Sequence, residues 1–211
     1  MDNYVITIAR GFGSKGCDVA DRLGEILKIP VYDRQLLTMA SEQSGIDENL
    51  FAETNEKLRG RLISGRLRSM PRQTVAEPHE KGFISDINLF NIQAKIIQEL
   101  AQTQSCIILG KCADNVLKEN KNVITAFVSA PEEYCIKTIH EKLFVSDERA
   151  KQLIRKTDRY RGEYYRYYTW GKTWNDPLNY DMSLNTAHLG VEGCAEVVSA
   201  YISFLKKSGR M

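Results

Sequence analysis

The sequence predicts an α/β domain built on a parallel sheet with helices on both faces. Three observations carry that reading. Short runs rich in β-branched residues alternate with longer segments of helical period along the chain. No run of strands occurs without a helix between them, which implies parallel pairing through crossover helices. The 211 residues suit one domain with a sizeable core, and nothing in them repeats.

The elements follow in order. Tyr4-Val5-Ile6-Thr7-Ile8-Ala9 reads as a buried strand ending at Gly11. Val19, Leu23, Ile26 and Leu27 recur at helical spacing between Asp18 and Lys28. Ile29 to Tyr32 is a brief second strand, and Asp33 stands where a helix N-cap belongs, before Leu36, Leu37 and Ala40. A further helix follows Asp47, running toward Arg59 and Arg61. Residues 65–84, with Gly65, Pro71, Pro78 and Gly82, read as a long loop. Ile87, Phe90, Ala94, Ile97 and Ala101 then share one helix face. Ser105 to Leu109 is a third strand closed by Gly110, and Val123 to Val128 a fourth, with Pro131 opening the next helix. Ser146-Asp147-Glu148 supplies a cap and an acidic first turn for a helix to about Tyr168. Tyr180 to Leu184 is a fifth strand, and Val197, Val198, Tyr201, Ile202 and Leu205 mark a last helix.

Composition narrows the function classes. Lys and Arg number 29 against 27 Asp and Glu, a net charge of +2 that gives no global reason to expect a nucleic-acid partner. No apolar run approaches the ~20 residues of a membrane helix, and the start lacks a secretory signal pattern. Five cysteines with no Cys-x-x-Cys pair argue against a disulfide framework or structural zinc, so a reducing cytoplasm is expected. His79, His140 and His188 have no ligand spacing.

The strongest chemical signal is Arg10-Gly11-Phe12-Gly13-Ser14-Lys15-Gly16-Cys17-Asp18, between the first strand and first helix. Glycines let backbone N–H groups turn toward an anion, and the helix N-terminus behind them favours negative charge. The template G-x-x-x-x-G-K-[ST] is met only at Gly11 and Gly16: Cys17 replaces its lysine, Asp18 its hydroxyl, and Lys15 lies two residues early. By itself the stretch is either a phosphate loop or a plain glycine-rich turn. Arg155, Asp158, Arg159, Arg161 and Arg166, interleaved with tyrosines, form either a solvated helix face or an arginine-bearing lid over phosphates. The cluster Lys57, Arg59, Arg61, Arg66, Arg68 and Arg72 is either a solvent-exposed charge run or a surface for an anionic substrate. Lys111 puts a cation at the third strand's end.

Ile6 to Ser14, Val31-Tyr32-Asp33-Arg34-Gln35-Leu36-Leu37, Ile107 to Asp114, Asp158-Arg159-Tyr160-Arg161 with Tyr164-Tyr165, and Tyr180 to Thr186 together resemble the cytidylate kinase-like family of P-loop nucleoside-monophosphate kinases. The resemblance runs from about residue 4 to 200 and is weakest over 55–90. It implies a P-loop kinase fold: a five-stranded parallel sheet flanked by helices, within one domain spanning 1–211. It further implies a helical monophosphate-binding insert at about 34–103 and a lid at about 145–172. The implied activity is phosphoryl transfer from ATP, with Mg2+, to CMP or dCMP. The loop residues Gly11, Phe12, Gly13, Ser14, Lys15, Gly16, Cys17 and Asp18 would bind ATP. Lys15, Lys111, Arg155 and Arg159 would serve the transferring group, and Asp33, Arg34, Lys111, Asp158 and Arg161 the acceptor, with Asp33 near the metal. The pair Asp158 and Arg161 is expected to read the cytosine base. The chain departs from the family in having Lys111 where Gly-Arg is usual, and, as in many of this subgroup, in lacking the P-loop lysine. Three other readings stand beside this one: a nucleotide-binding regulator without fast turnover, a kinase for another small acceptor, and a single-stranded nucleic-acid binder using the aromatic-arginine stretch 155–174.

Overall fold

A computed structural model of the chain describes residues 3–56, 75–80 and 82–210. Five strands form one parallel sheet: β1 (Val5–Arg10), β2 (Val31–Tyr32), β3 (Cys106–Leu109), β4 (Val123–Ser129) and β5 (Met182–Asn185). Their order is β2-β3-β1-β4-β5, so β1 is central, with Ile6 registered between Ile107 and Ile124. Side chains alternate across the sheet. Val5 and Ile108 join the core under α2 (Gln35–Ser44), α3 (Glu48–Glu56) and α4 (Asp86–Thr103). Ile6, Ile8, Ile107 and Leu109 face the opposite core with Val19 and Leu23 of α1 (Gly16–Leu27) and Val198 of α8 (Thr186–Lys207). Burial on both faces is what makes these strands read as unbroken apolar runs.

The remaining helices are α5 (Ala113–Val116), α6 (Glu132–Leu143) and α7 (Asp147–Tyr168). The start of α7 is as the sequence indicates: the Ser146 hydroxyl accepts from the Arg149 amide. Several boundaries differ for local reasons. β2 begins at Val31 because the Ile29 amide caps the carbonyl of Gly24 (3.1 Å) and Pro30 has no N–H to offer. Asp33 is not the cap of α2; it turns to Arg10, and Arg34 is the N-cap residue without a side-chain bond. Pro131 is the N-cap of α6 rather than its first helical residue. Ile87 is exposed, since the inward position in that turn belongs to Asn88. Asn88 accepts from the Ala76 amide and donates to the Phe83 carbonyl, both at 2.7 Å, which ties the incoming segment down. Tyr180 closes a 3-10 turn (Pro177–Asn179) instead of opening β5. The four-residue α5 is too short to be seen as a period. The basic cluster from Lys57 to Arg72 lies outside the described residues. Among the described residues, no helix is long and apolar enough to cross a membrane.

Candidate functional site

The site forms at the carboxyl end of β1, where ligands of open parallel sheets bind. The Gly11 amide donates to the Val128 carbonyl (3.0 Å), carrying the β1–β4 pairing one residue past the strand. Gly13 has φ 84°, and a Cβ there would lie 2.8 Å from the Cys135 carbonyl oxygen of α6. The loop is thus pressed against α6 backbone, a contact only glycine permits. Ser14 is fully buried and its hydroxyl donates to the Gly11 carbonyl (2.8 Å). The Thr186 hydroxyl donates to the Ser14 carbonyl (2.8 Å), fixing the loop to the start of α8. Lys15 is the N-cap residue of α1 at φ 57°, with its ammonium 5.6 Å from the ring centre of Tyr134.

Helix α7 crosses this loop and is fastened to it twice. Asp158 Oδ1 accepts from the Phe12 amide (2.8 Å), and Arg161 Nη1 donates to the Arg10 carbonyl (2.8 Å). The two side chains are 3.6 Å apart, and the Arg161 guanidinium sits 5.7 Å from the Phe12 ring centre. Burial pushes the Asp158 carboxyl above its ordinary value, while the Phe12 amide, Arg161 and Arg10 pull it back. Burial, then the neighbouring Arg10, lowers the Arg161 guanidinium to about 10. Arg10 reaches Asp33 with Nη2 (3.4 Å), and its buried Nε has no hydrogen-bond partner. The two guanidiniums are near enough for Arg10 to act on Arg161, and each faces one carboxylate, Arg10 facing Asp33 and Arg161 facing Asp158.

Two cavities flank α7. The smaller, about 410 Å³, is bordered by Arg10, Phe12, Asp33, Arg34, Lys111 and Arg161, with Asp114, Lys156 and a wall of Tyr160, Tyr164, Tyr165 and Trp174. The larger, about 790 Å³, is bordered by Gly11, Ser129, Glu132, Asp158, Arg159 and Arg166, with residues 171–175 beyond. The structure therefore gathers Asp33, Arg34, Lys111 and Arg161 around one cavity, and puts Asp158 and Arg159 on the other. It does not bring Arg155 to either cavity: that side chain is exposed and faces Glu132 at 3.6 Å. Arg159 is engaged with Glu163 at 3.5 Å. Asp158 and Arg161 both contact loop backbone. Lys15 faces α6. Cys17 and Asp18 lie in the first turn of α1, half-buried.

Sequence reasoning missed Arg10, Lys156 and Asp114. For Arg10 a signal existed: a cation on the last residue of the central strand, immediately before the glycines. For Lys156 and Asp114 the helical phase had to be known first. Among the described residues, no three His, Cys, Asp or Glu side chains group as metal ligands. Asp33 borders the smaller cavity beside Arg10. Magnesium commonly keeps several waters and takes one or two carboxylates plus substrate phosphates, so this donor set fits it only when a nucleotide supplies the rest.

The sequence pattern of the cytidylate kinase-like family matches residues 5–188. A comparison with curated proteins found no match. Among solved structures, an uncharacterized protein from Eubacterium ventriosum is 24% identical at a TM-score of 0.70, covering 95% of this chain and 99% of that one. Shikimate kinase from Bacteroides thetaiotaomicron is 11% identical at a TM-score of 0.54, with 95% and 98% covered. Shikimate kinase from Acinetobacter baumannii, in complex with shikimate, is 13% identical at 0.52, with 97% and 95% covered. The fold is that of P-loop kinases: a five-stranded parallel sheet flanked by helices.

Proposed function

The chain belongs to the cytidylate kinase-like family, and from that premise we propose that it transfers the γ-phosphoryl group of ATP to a nucleoside monophosphate, CMP or dCMP foremost. The observation that carries this reading is the meeting of Arg10 and Arg161, with Lys111 and Arg34, around a small aromatic-walled cavity beside the glycine loop. Cations there suit the acceptor phosphate, and the tyrosines suit a base.

An acceptor phosphate oxygen is already anionic, so the transfer needs alignment and charge compensation more than a strong base. In this scheme the loop 11–16 and the first turn of α1 hold the donor phosphates through backbone N–H groups. An arriving phosphate competes with the Asp158 carboxylate for the Phe12 amide. Arg10, Lys111 and Arg161 offset charge on the acceptor and the transferring group. Residues 34–103 act as the acceptor insert and 145–172 as the lid, whose helix α7 excludes water from the closed cleft. Asp33 is the carboxylate that would meet the waters of a magnesium ion, which would supply charge neutralisation to the donor phosphates. Arg155 has no part in this scheme, and Arg159 belongs to the donor side.

The test is a coupled ADP-release assay with ATP and magnesium against CMP, dCMP, UMP, AMP and no acceptor. Stimulation by CMP or dCMP is the expected result. Equal background with every acceptor would overturn the proposal in favour of a nucleotide-binding regulator. That second reading is favoured by Lys15 lying against Tyr134 and by Asp158 on the loop amide.

A further inference from the structure

The glycine loop lays out a row of open donors. The amides of Gly13, Lys15, Gly16 and Cys17 donate to no described residue, and Gly13 and Lys15 have φ of 84° and 57°. Left-handed residues set in such a row turn successive N–H groups into one concavity that suits an anion. Two amides of the same stretch are taken. Ser14 donates within the loop, to the Gly11 carbonyl (3.3 Å), whereas Phe12 donates outside it, to Asp158 Oδ1 (2.8 Å). That carboxylate comes from α7, 146 residues along the chain, and its side chain is only 30% exposed. A charged oxygen on an amide beside a helix N-terminus stands where a phosphate oxygen binds in loops of this kind.

The second fastening of α7 directs a guanidinium at a neutral group: Arg161 donates to the Arg10 carbonyl (2.8 Å). Burial and the Arg10 guanidinium oppose the charge on Arg161, while Asp158, 3.6 Å away, supports it. A phosphate acts on both contacts in the same direction. It repels the Asp158 carboxylate from the Phe12 amide, and it offers Arg161 a charged oxygen, a stronger acceptor than a carbonyl. Loop and α7 are thus joined by contacts that such a ligand undoes. We propose that Asp158 is an autoinhibitory latch: its carboxylate holds the place of a phosphate oxygen on the loop, keeps α7 down, and must leave before a polyphosphate donor can seat. The proposal rests on the phosphoryl-transfer reading above and adds a control to its donor site. A ligand that needs the open form binds at its intrinsic affinity scaled by the open fraction. A latch shut in about nine molecules of ten therefore weakens binding about tenfold.

Two substitutions separate a latch from a brace. Asp158→Asn keeps an oxygen for the Phe12 amide and removes the charge, whereas Asp158→Ala removes both. The readout is calorimetric binding of inorganic pyrophosphate, and of a non-hydrolysable ATP analogue, to the full chain. Both variants are expected to bind each anion about tenfold tighter than wild type. Glu132→Gln controls for charge alone, since Glu132 borders the same cavity as Asp158 but faces Arg155 rather than the loop. Its affinities should stay within about twofold of wild type, as loss of a screened surface charge would leave them. Unchanged binding in Asp158→Asn, or weaker binding in Asp158→Ala, would overturn the latch and leave Asp158 a brace between α7 and the loop. An equal gain in Glu132→Gln would overturn it too, because net charge would then set the affinity. If wild type and both Asp158 variants bind neither anion, the donor-loop reading itself falls, which is a distinguishable result.

Discussion

The loops after β1 and β3 are built alike and do different work. Each leaves a buried strand through a glycine at positive φ, Gly13 at 84° and Gly110 at 68°. Each carries a lysine in the left-handed region, Lys15 at 57° and Lys111 at 58°. Each enters its helix through a left-handed N-cap residue, Lys15 or Cys112, that makes no side-chain cap. The helices differ: α1 has 12 residues and α5 has four. A longer helix carries an effective positive charge at its N-terminus, so the first loop can favour an anion with backbone alone. A single turn has little such field. The second loop instead contributes side chains to the cavity, Lys111 and Asp114.

Substitutions can break or sharpen this contrast. The largest effect is expected where the two loops meet, at Arg10, whose guanidinium lies across Gly110 and reaches Asp33. Arg10→Met should lower kcat/KM for phosphoryl transfer by about 100-fold or more, as loss of a charge-stabilising donor does elsewhere. A variant within threefold of wild type (about 0.7 kcal/mol) would remove Arg10 from the site.

Gly13→Ala comes next. The added Cβ meets Cys135 backbone at 2.8 Å and strains a positive φ, so unfolding free energy should fall by roughly 2 kcal/mol or more. Urea denaturation reads this without any ligand. Unchanged stability would mean that the glycine serves the ligand rather than the packing of α6.

The two lysines compare the loops directly. Lys111→Ala should weaken acceptor binding about tenfold, ~1.4 kcal/mol, while Lys15→Ala should change ATP binding less than about threefold. The reverse order would mean that the Lys15 side chain leaves Tyr134 to serve the donor.

The smallest effect is one of sign. The folded-state carboxyl of Asp158 is raised from 3.8, so the folded protein holds that proton to higher pH than the unfolded chain. Its ionisation then costs stability as pH rises through that window. Asp158→Asn, always neutral, should therefore gain on wild type in thermal melts as pH rises above the ordinary carboxylate range. A difference that does not change with pH would remove the burial account of Asp158.

Much of the fold was legible because burial on both sheet faces leaves apolar runs that need no context to be seen. Val5 to Ile8 and Cys106 to Leu109 are of this kind, as is the Ser146 cap that starts α7. Site residues were legible only where backbone forced their place. Asp33, Arg34 and Lys111 follow strand ends, and strand ends in a parallel sheet converge. The family resemblance implies Arg155 and Arg159 at the transferring group; in the structure Arg155 is exposed and faces Glu132, while Arg159 borders the larger cavity and faces Glu163. The sequence offers Asp33 as a helix cap because Asp before an apolar period is a local signal. Arg10, 23 residues away, competes for it and wins.

The sequence by itself determined the order of strands and helices, the glycine turn after the central strand and the cationic character of α7, since each depends on neighbours along the chain. Only the tertiary structure decided which face of α7 meets the loop. Helical period groups residues 154, 158 and 161 on adjoining sides, but the rotation of the helix about its axis is set by packing of Tyr164, Tyr165 and Tyr168 into the core under α4. That rotation hands the loop amide to Asp158, turns Arg161 onto Arg10 and seats Tyr165 on Asp114. Those contacts join positions more than fifty residues apart. No local pattern encodes them.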